Sequence, residues 1–168
     1  MARATMDLAP IEAEHDRIAA DFSAHQQALV RAIGQASAAT EARAAWDRFE
    51  HRLRRHILFE DEQLIPLFAA RVQPPPLGCS SELLHAEHRK LERLLSSCGD
   101  AAREHLEQRA QDPAALLVLI EQQRMIREVL EHHDQRERAA FFPALHDCLE
   151  PGEKEAILQA SLAAHPQA

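Results

Sequence analysis

Four histidines and two glutamates in this 168-residue chain fall in an order that suits metal binding. His56 and Glu60 stand four apart in H-I-L-F-E, and His133 and Glu137 stand four apart in H-D-Q-R-E. Residues four apart share a helical face. A proline follows each of these histidines by ten residues, at Pro66 and Pro143. Upstream lie A-E-H-D-R-I around His15 and A-E-H-R-K-L around His88. The chain thus reads His, His-x3-Glu, His, His-x3-Glu. Four imidazoles and two carboxylates brought together make a site for two transition-metal ions.

The elements that must position them are helical. Glycine is scarce, tyrosine is absent, and Ala, Leu, Glu, Gln and Arg dominate, which is a helical composition. The length, residues 1–168, suits one domain with its own core. Helix breakers divide it. The first helix is expected from about Pro10 to Ile33, before Gly34 and the small-residue run Q-A-S-A-A-T. A second runs from about Thr40 to Arg71, bent at Pro66. The segment Q-P-P-P-L-G-C (73–79) is the clearest loop. Ser80 or Ser81 caps a third helix to about Ala110, weakened at Gly99. Asp112-Pro113 starts a fourth, to about Phe142, and Glu150-Pro151 starts a short fifth, about 151–164.

Spacing tests whether the four histidines meet. In an up-down-up-down bundle, residues at one height are equidistant from the turn joining their helices. The midpoint of His15 and His56 falls between Gln35 and Ala36, beside Gly34. That of His56 and His88 is Val72, next to the triple proline; that of His88 and His133 falls between Ala110 and Gln111. All three coincide with expected turns. The histidines are therefore level, roughly 25–30 Å from the turns at the helical rise. Glu60 and Glu137 lie one turn below them.

The faces agree. The expected inward stripes are Ile11, His15, Ile18 and Phe22; Phe49, Leu53, His56, Glu60 and Leu67; Leu84, His88, Leu91 and Leu95; and Ile126, Val129, His133, Glu137 and Phe141. An ionised Glu in an apolar core costs several kcal/mol unless compensated. No Lys or Arg occupies these stripes, so metal is the natural compensation. A single His-x3-Glu is near chance in so His- and Glu-rich a chain, and His88/Glu92 and His146/Glu150 also fit it. The repeat, the matched prolines and the midpoints together are not chance. His25, His51, His105, His132, His146 and His165 fall off the ligand stripes and are expected at the surface or in loops. His85, three before His88, and its repeat counterpart Glu12 are expected to support the ligands rather than join them. Glu92 points to the rim, near Arg89 and Lys90.

These residues resemble the hemerythrin-like, or HHE cation-binding, family over about residues 10–148. The resemblance implies a four-helix bundle holding a non-haem di-iron centre bridged by two carboxylates and an oxo or hydroxo group. His15 resembles the first-helix ligand, His56 and Glu60 the second-helix pair, His88 the third-helix ligand, and His133 with Glu137 the fourth-helix pair. The oxygen-carrying hemerythrins have a further third-helix histidine where Leu84 stands here, and one more residue between the fourth-helix His and its carboxylate. The symmetrical set is instead similar to bacterial proteins that repair damaged iron centres under nitrosative stress, and to the iron- and oxygen-sensing hemerythrin domain of a eukaryotic ubiquitin ligase.

The fold expectation is therefore all-α: a four-helix bundle with a short extra C-terminal helix. The cofactor expected is a pair of iron ions, with manganese or zinc as substitutes. The functional expectation is binding of, or response to, O2, NO or peroxide. The alternatives are an iron donor or repair protein, a reversible oxygen carrier, and a metal-free helical interaction bundle. A ferritin-like site built on Glu12/His15 and Glu82/His85 is out of register with the repeat. A phosphotransfer histidine is at odds with buried His-x3-Glu pairs. The absence of tyrosine excludes a tyrosyl radical, and Trp46 is too far from His56 for a redox role. The net charge of −8 argues against nucleic acid. The chain has no apolar run for a membrane and no signal peptide at M-A-R-A-T-M-D, and three cysteines form no CxxC. These point to the cytoplasm with free thiols.

Overall fold

The computed structural model describes residues 9–108 and 112–165, and among them every regular element is helical. Helix α1 spans Ala9–Gly34 and α2 spans Ala38–Phe59. A five-residue π-helical turn, Glu60–Leu64, joins α2 without a break to α3, Ile65–Arg71. Helix α4 covers Ser81–Gln108, α5 Pro113–Gln122 and α6 Arg124–Arg136. A second π turn, Glu137–Phe141, leads into α7, Phe142–Cys148, and α8 covers Pro151–Ala164. Turns occupy the first two expected midpoints, at 35–37 and 72–80. The third midpoint lies outside the described residues. Asp112 caps α5 by accepting from the Ala114 N–H at 3.0 Å.

The two π turns correct the expected register. A proline in a regular helix lacks an N–H and its ring crowds the carbonyl four residues back. At Pro66 and Pro143 the preceding residues, Ile65 and Phe142, instead bond back five residues, to the carbonyls of Glu60 and Glu137. The wider turn absorbs each proline, so the second helical run is not broken at Pro66 and the fourth runs past Phe142 to Cys148. The extra residue also rotates the helix beyond it. Leu64, Ile65 and Phe68 are buried, and Leu67, expected inward, is partly buried against the same cluster. The fourth run carries one further irregularity, a turn at Gln123 that divides α5 from α6.

The core forms two apolar clusters. One contains Phe22, Trp46, Phe49, Leu53, Leu91 and Leu95; the other contains Ile11, Leu64, Phe68, Leu84, Phe141 and Leu145. Helix α1 packs on α2 and α5, α2 on α4, and α4 on α5 and α6. The buried polar residues His15, His56, Glu60, His88, His133 and Glu137 belong to neither cluster. The loop before α4 needs Gly78, whose φ of 74° favours glycine, and the Gly78 carbonyl accepts from Arg136 Nε at 2.8 Å. No helix among the described residues is long and apolar enough to cross a membrane. Cys79, Cys98 and Cys148 are free thiols.

Candidate metal centre

Each of the six residues arrives on a different part of the repeat. Helix α1 brings His15 and α2 brings His56. The first position of the first π turn carries Glu60. Helix α4 brings His88, α6 brings His133, and the first position of the second π turn carries Glu137. All six are buried, both glutamates completely.

They meet in two groups of four, His15, His56, Glu60 and Glu137, and His88, His133, Glu60 and Glu137. The ligand atoms in each group lie within 4.8 Å of one another. The Nε2 atoms of His15 and His56 face each other at 2.7 Å, and those of His88 and His133 at 3.1 Å. Each glutamate divides its oxygens between the groups. Glu60 Oε1 is 3.2 Å from His56 Nε2, while Glu60 Oε2 is 3.2 Å from His88 Nε2. Glu137 Oε2 is 3.3 Å from His15 Nε2, while Glu137 Oε1 is 3.2 Å from His133 Nε2.

The histidine–glutamate approaches are not hydrogen bonds. All four carboxylate oxygens are buried with no hydrogen-bond partner. Four orphaned acceptors at one point would be very costly in a metal-free core. Two cations, each taking two imidazole nitrogens and two carboxylate oxygens, would satisfy every one of them.

Electrostatics give the same picture. Burial raises both carboxylates. At Glu60 the surrounding histidines outweigh burial and hold the group well below the usual carboxylate range. At Glu137 burial and the adjacent Glu60 charge act together and push it well above that range. Burial opposes protonation of His15, but Asp134 and Glu60 outweigh it and push the imidazole up to about 9. Burial likewise opposes protonation of His88, where Asp61 and Glu60 raise it to about 9. For His56 burial dominates, and the ring is pushed down to about 4.

The outer ring nitrogens are held by carboxylates that sequence reasoning missed. His15 Nδ1 is 2.5 Å from Asp134 Oδ1, His88 Nδ1 is 2.6 Å from Asp61 Oδ1, and His133 Nδ1 is 3.1 Å from Glu87 Oε2. An outer carboxylate fixes the tautomer that leaves Nε2 free for a metal. Each of these acids is adjacent in sequence to a ligand, a signal that could have found them: Asp61 follows Glu60, Asp134 follows His133, and Glu87 precedes His88. His85 Nδ1 also reaches Asp61 Oδ1, at 2.9 Å, and so touches the support rather than the centre. The Glu12 side chain joins neither group; its backbone carbonyl accepts from Arg138 at 3.1 Å. Glu92 is exposed.

The repeat breaks at His56. Glu14 occupies the place in the first half that Glu87 has in the second. Its oxygens instead accept from Arg17 and Arg52, both at 2.9 Å, and His56 Nδ1 has no partner. His165, expected at the surface, is buried with its ring 5.8 Å from that of His56. His25, also expected outside, is fully buried: its Nδ1 is 2.8 Å from the Ala42 carbonyl and its Nε2 3.0 Å from Gln123 Oε1. Both histidines face neighbours far away in sequence, so no local pattern could have found them. His51 and His132 are exposed, and His105 and His146 half-buried.

No protein-family model matches the chain, and no curated protein or solved structure matches it significantly.

Proposed function

We propose that this chain is a hemerythrin-like non-haem di-iron protein, an up-down-up-down four-helix bundle whose centre binds or responds to O2, NO or peroxide. The observation that supports it best is the sharing of Glu60 and Glu137: each sends one oxygen to each histidine pair, and all four oxygens are orphaned. His15 and His56 would hold one iron and His88 and His133 the other, with both glutamates common to the two. Iron, when bound, supplies the redox chemistry toward these small oxidants. Imidazole with carboxylate equally admits manganese and zinc.

The protein's own part is to orient and to shield. Asp134, Asp61 and Glu87 hold three imidazoles by their outer nitrogens. Apolar residues on both sides keep bulk water from the carboxylates. The two sides offer equal sets of donors, which favours redox reaction over storage of intact O2, because neither ion is protected by an additional ligand.

Reconstitution tests the reading. Protein loaded anaerobically with ferrous iron and passed over a desalting column should retain close to two irons per chain. Retention of one or none would overturn it.

A further inference from the structure

Beside the centre, between α1 and α6, the fold leaves a mostly apolar cavity of about 660 Å³. Its cause is visible in the helices. Gln123 turns the fourth run and is pinned to α1, where its Oε1 accepts from Gln26 Nε2 at 2.8 Å. Above that point α5 packs on α1; below it α6 packs on α4 and not closely on α1. The gap closes again where His15 meets Asp134 and where Arg138 meets Asp16 at 2.7 Å. A window thus remains between two polar latches. Ile18, Phe22, Leu53 and Leu130 line its walls, and His15, His56 and His133 form its inner end.

The size and polarity of the window describe an occupant. A diatomic gas needs a small fraction of this volume, which falls in the range of sites for organic ligands. Of the two carboxylates lining it, Asp134 lies at the histidine end, while Glu131 stands one helical turn from Arg127 on α6. The opposite end carries Arg31 and Arg127. Arg31 is paired with Glu41, but Arg127 donates only to the neutral Gln26 oxygen among the contacts of the described residues. The stretches between the latches, Gln26 to His15 on α1 and Arg127 to Asp134 on α6, are roughly 10–16 Å long at the helical rise.

We propose that this window binds an amphipathic monocarboxylic acid, its head on Arg127 and its apolar body along Phe22 and Leu130 toward the histidines. Such an occupant covers one side of the centre and controls what reaches it. The inference goes beyond the di-iron reading and does not depend on it, because the cavity belongs to the polypeptide alone.

The test is calorimetric titration of the full chain with decanoate and with decanol, below their micellar or solubility limits. Metal content is measured separately, so failure here leaves the iron reading standing, and the reverse. Decanoate should bind at one site per chain. Arg127→Gln should weaken decanoate about tenfold or more, the scale of a lost charge-assisted hydrogen bond, and leave decanol within about twofold. Ala19→Phe, which fills the window from the exposed face of α1, should remove both, with helical circular dichroism unchanged. No binding of decanoate, binding indifferent to Arg127→Gln, or binding that survives Ala19→Phe would each overturn the proposal.

Discussion

Asp61 Oδ1 lies 2.6 Å from His88 Nδ1. The aspartate directly follows Glu60, so one π turn supplies both a shared carboxylate and the support of a histidine on another helix. Asp61→Asn keeps the size and loses the charge. The change should weaken metal retention by about 10–100-fold, the usual consequence of losing an outer carboxylate. Chelator competition against the unaltered protein measures it; equal retention would mean that Asp61 does not orient His88.

The two glutamates should be irreplaceable in a way that other acids are not. Glu60→Ala or Glu137→Ala removes one oxygen from both groups, and metal content should fall below one ion per chain. Glu92→Ala and Glu150→Ala alter exposed side chains and should leave two. Metal analysis of the four proteins, loaded identically, decides; equal losses in all four would contradict the assignment.

Reactivity should follow from the balanced donor sets. Leu84 is fully buried in the apolar cluster with Ile11 and Phe68, and offers no ligand. Reduced, iron-loaded protein should therefore be oxidised by O2, and the ferrous state should not return under vacuum. The reduced protein should also change its absorption on exposure to NO. Repeated, fully reversible O2 uptake would restore the carrier reading. Inertness to both gases would favour a structural or storage role.

Stability should depend on pH through His25, away from the centre. Burial lowers its pKa from 6.5, more than its contacts with Ala42 and Gln123 raise it. Between the lowered folded value and 6.5 the unfolded chain binds the extra proton, so stability rises with pH there. The contribution is fully present above 6.5 and is lost as pH falls through the folded value. His25→Gln should flatten that slope. Urea midpoints of metal-free protein at pH 5 and pH 7 give the comparison; an unchanged pH dependence would show that His25 is not its source.

The sequence by itself determined the six residues that meet at the centre and the helices that carry them. Four-residue spacing puts His56 above Glu60 and His133 above Glu137 on any helix, and breakers at Gly34, the triple proline and Asp112-Pro113 set the heights. It also marked Pro66 and Pro143. The tertiary structure shows what those prolines do: each follows a widened turn rather than a break, and beyond the first Phe68 is fully buried and Leu67 partly so. Tertiary structure alone chose the supports. Asp61, Asp134 and Glu87 each adjoin a ligand along the chain, but only the approach of a second helix gives each an imidazole to hold. The burial of His25 and His165 has the same origin, as does the window between α1 and α6. A side chain's own helix fixes its face, but which neighbour covers that face is a property of the assembled chain.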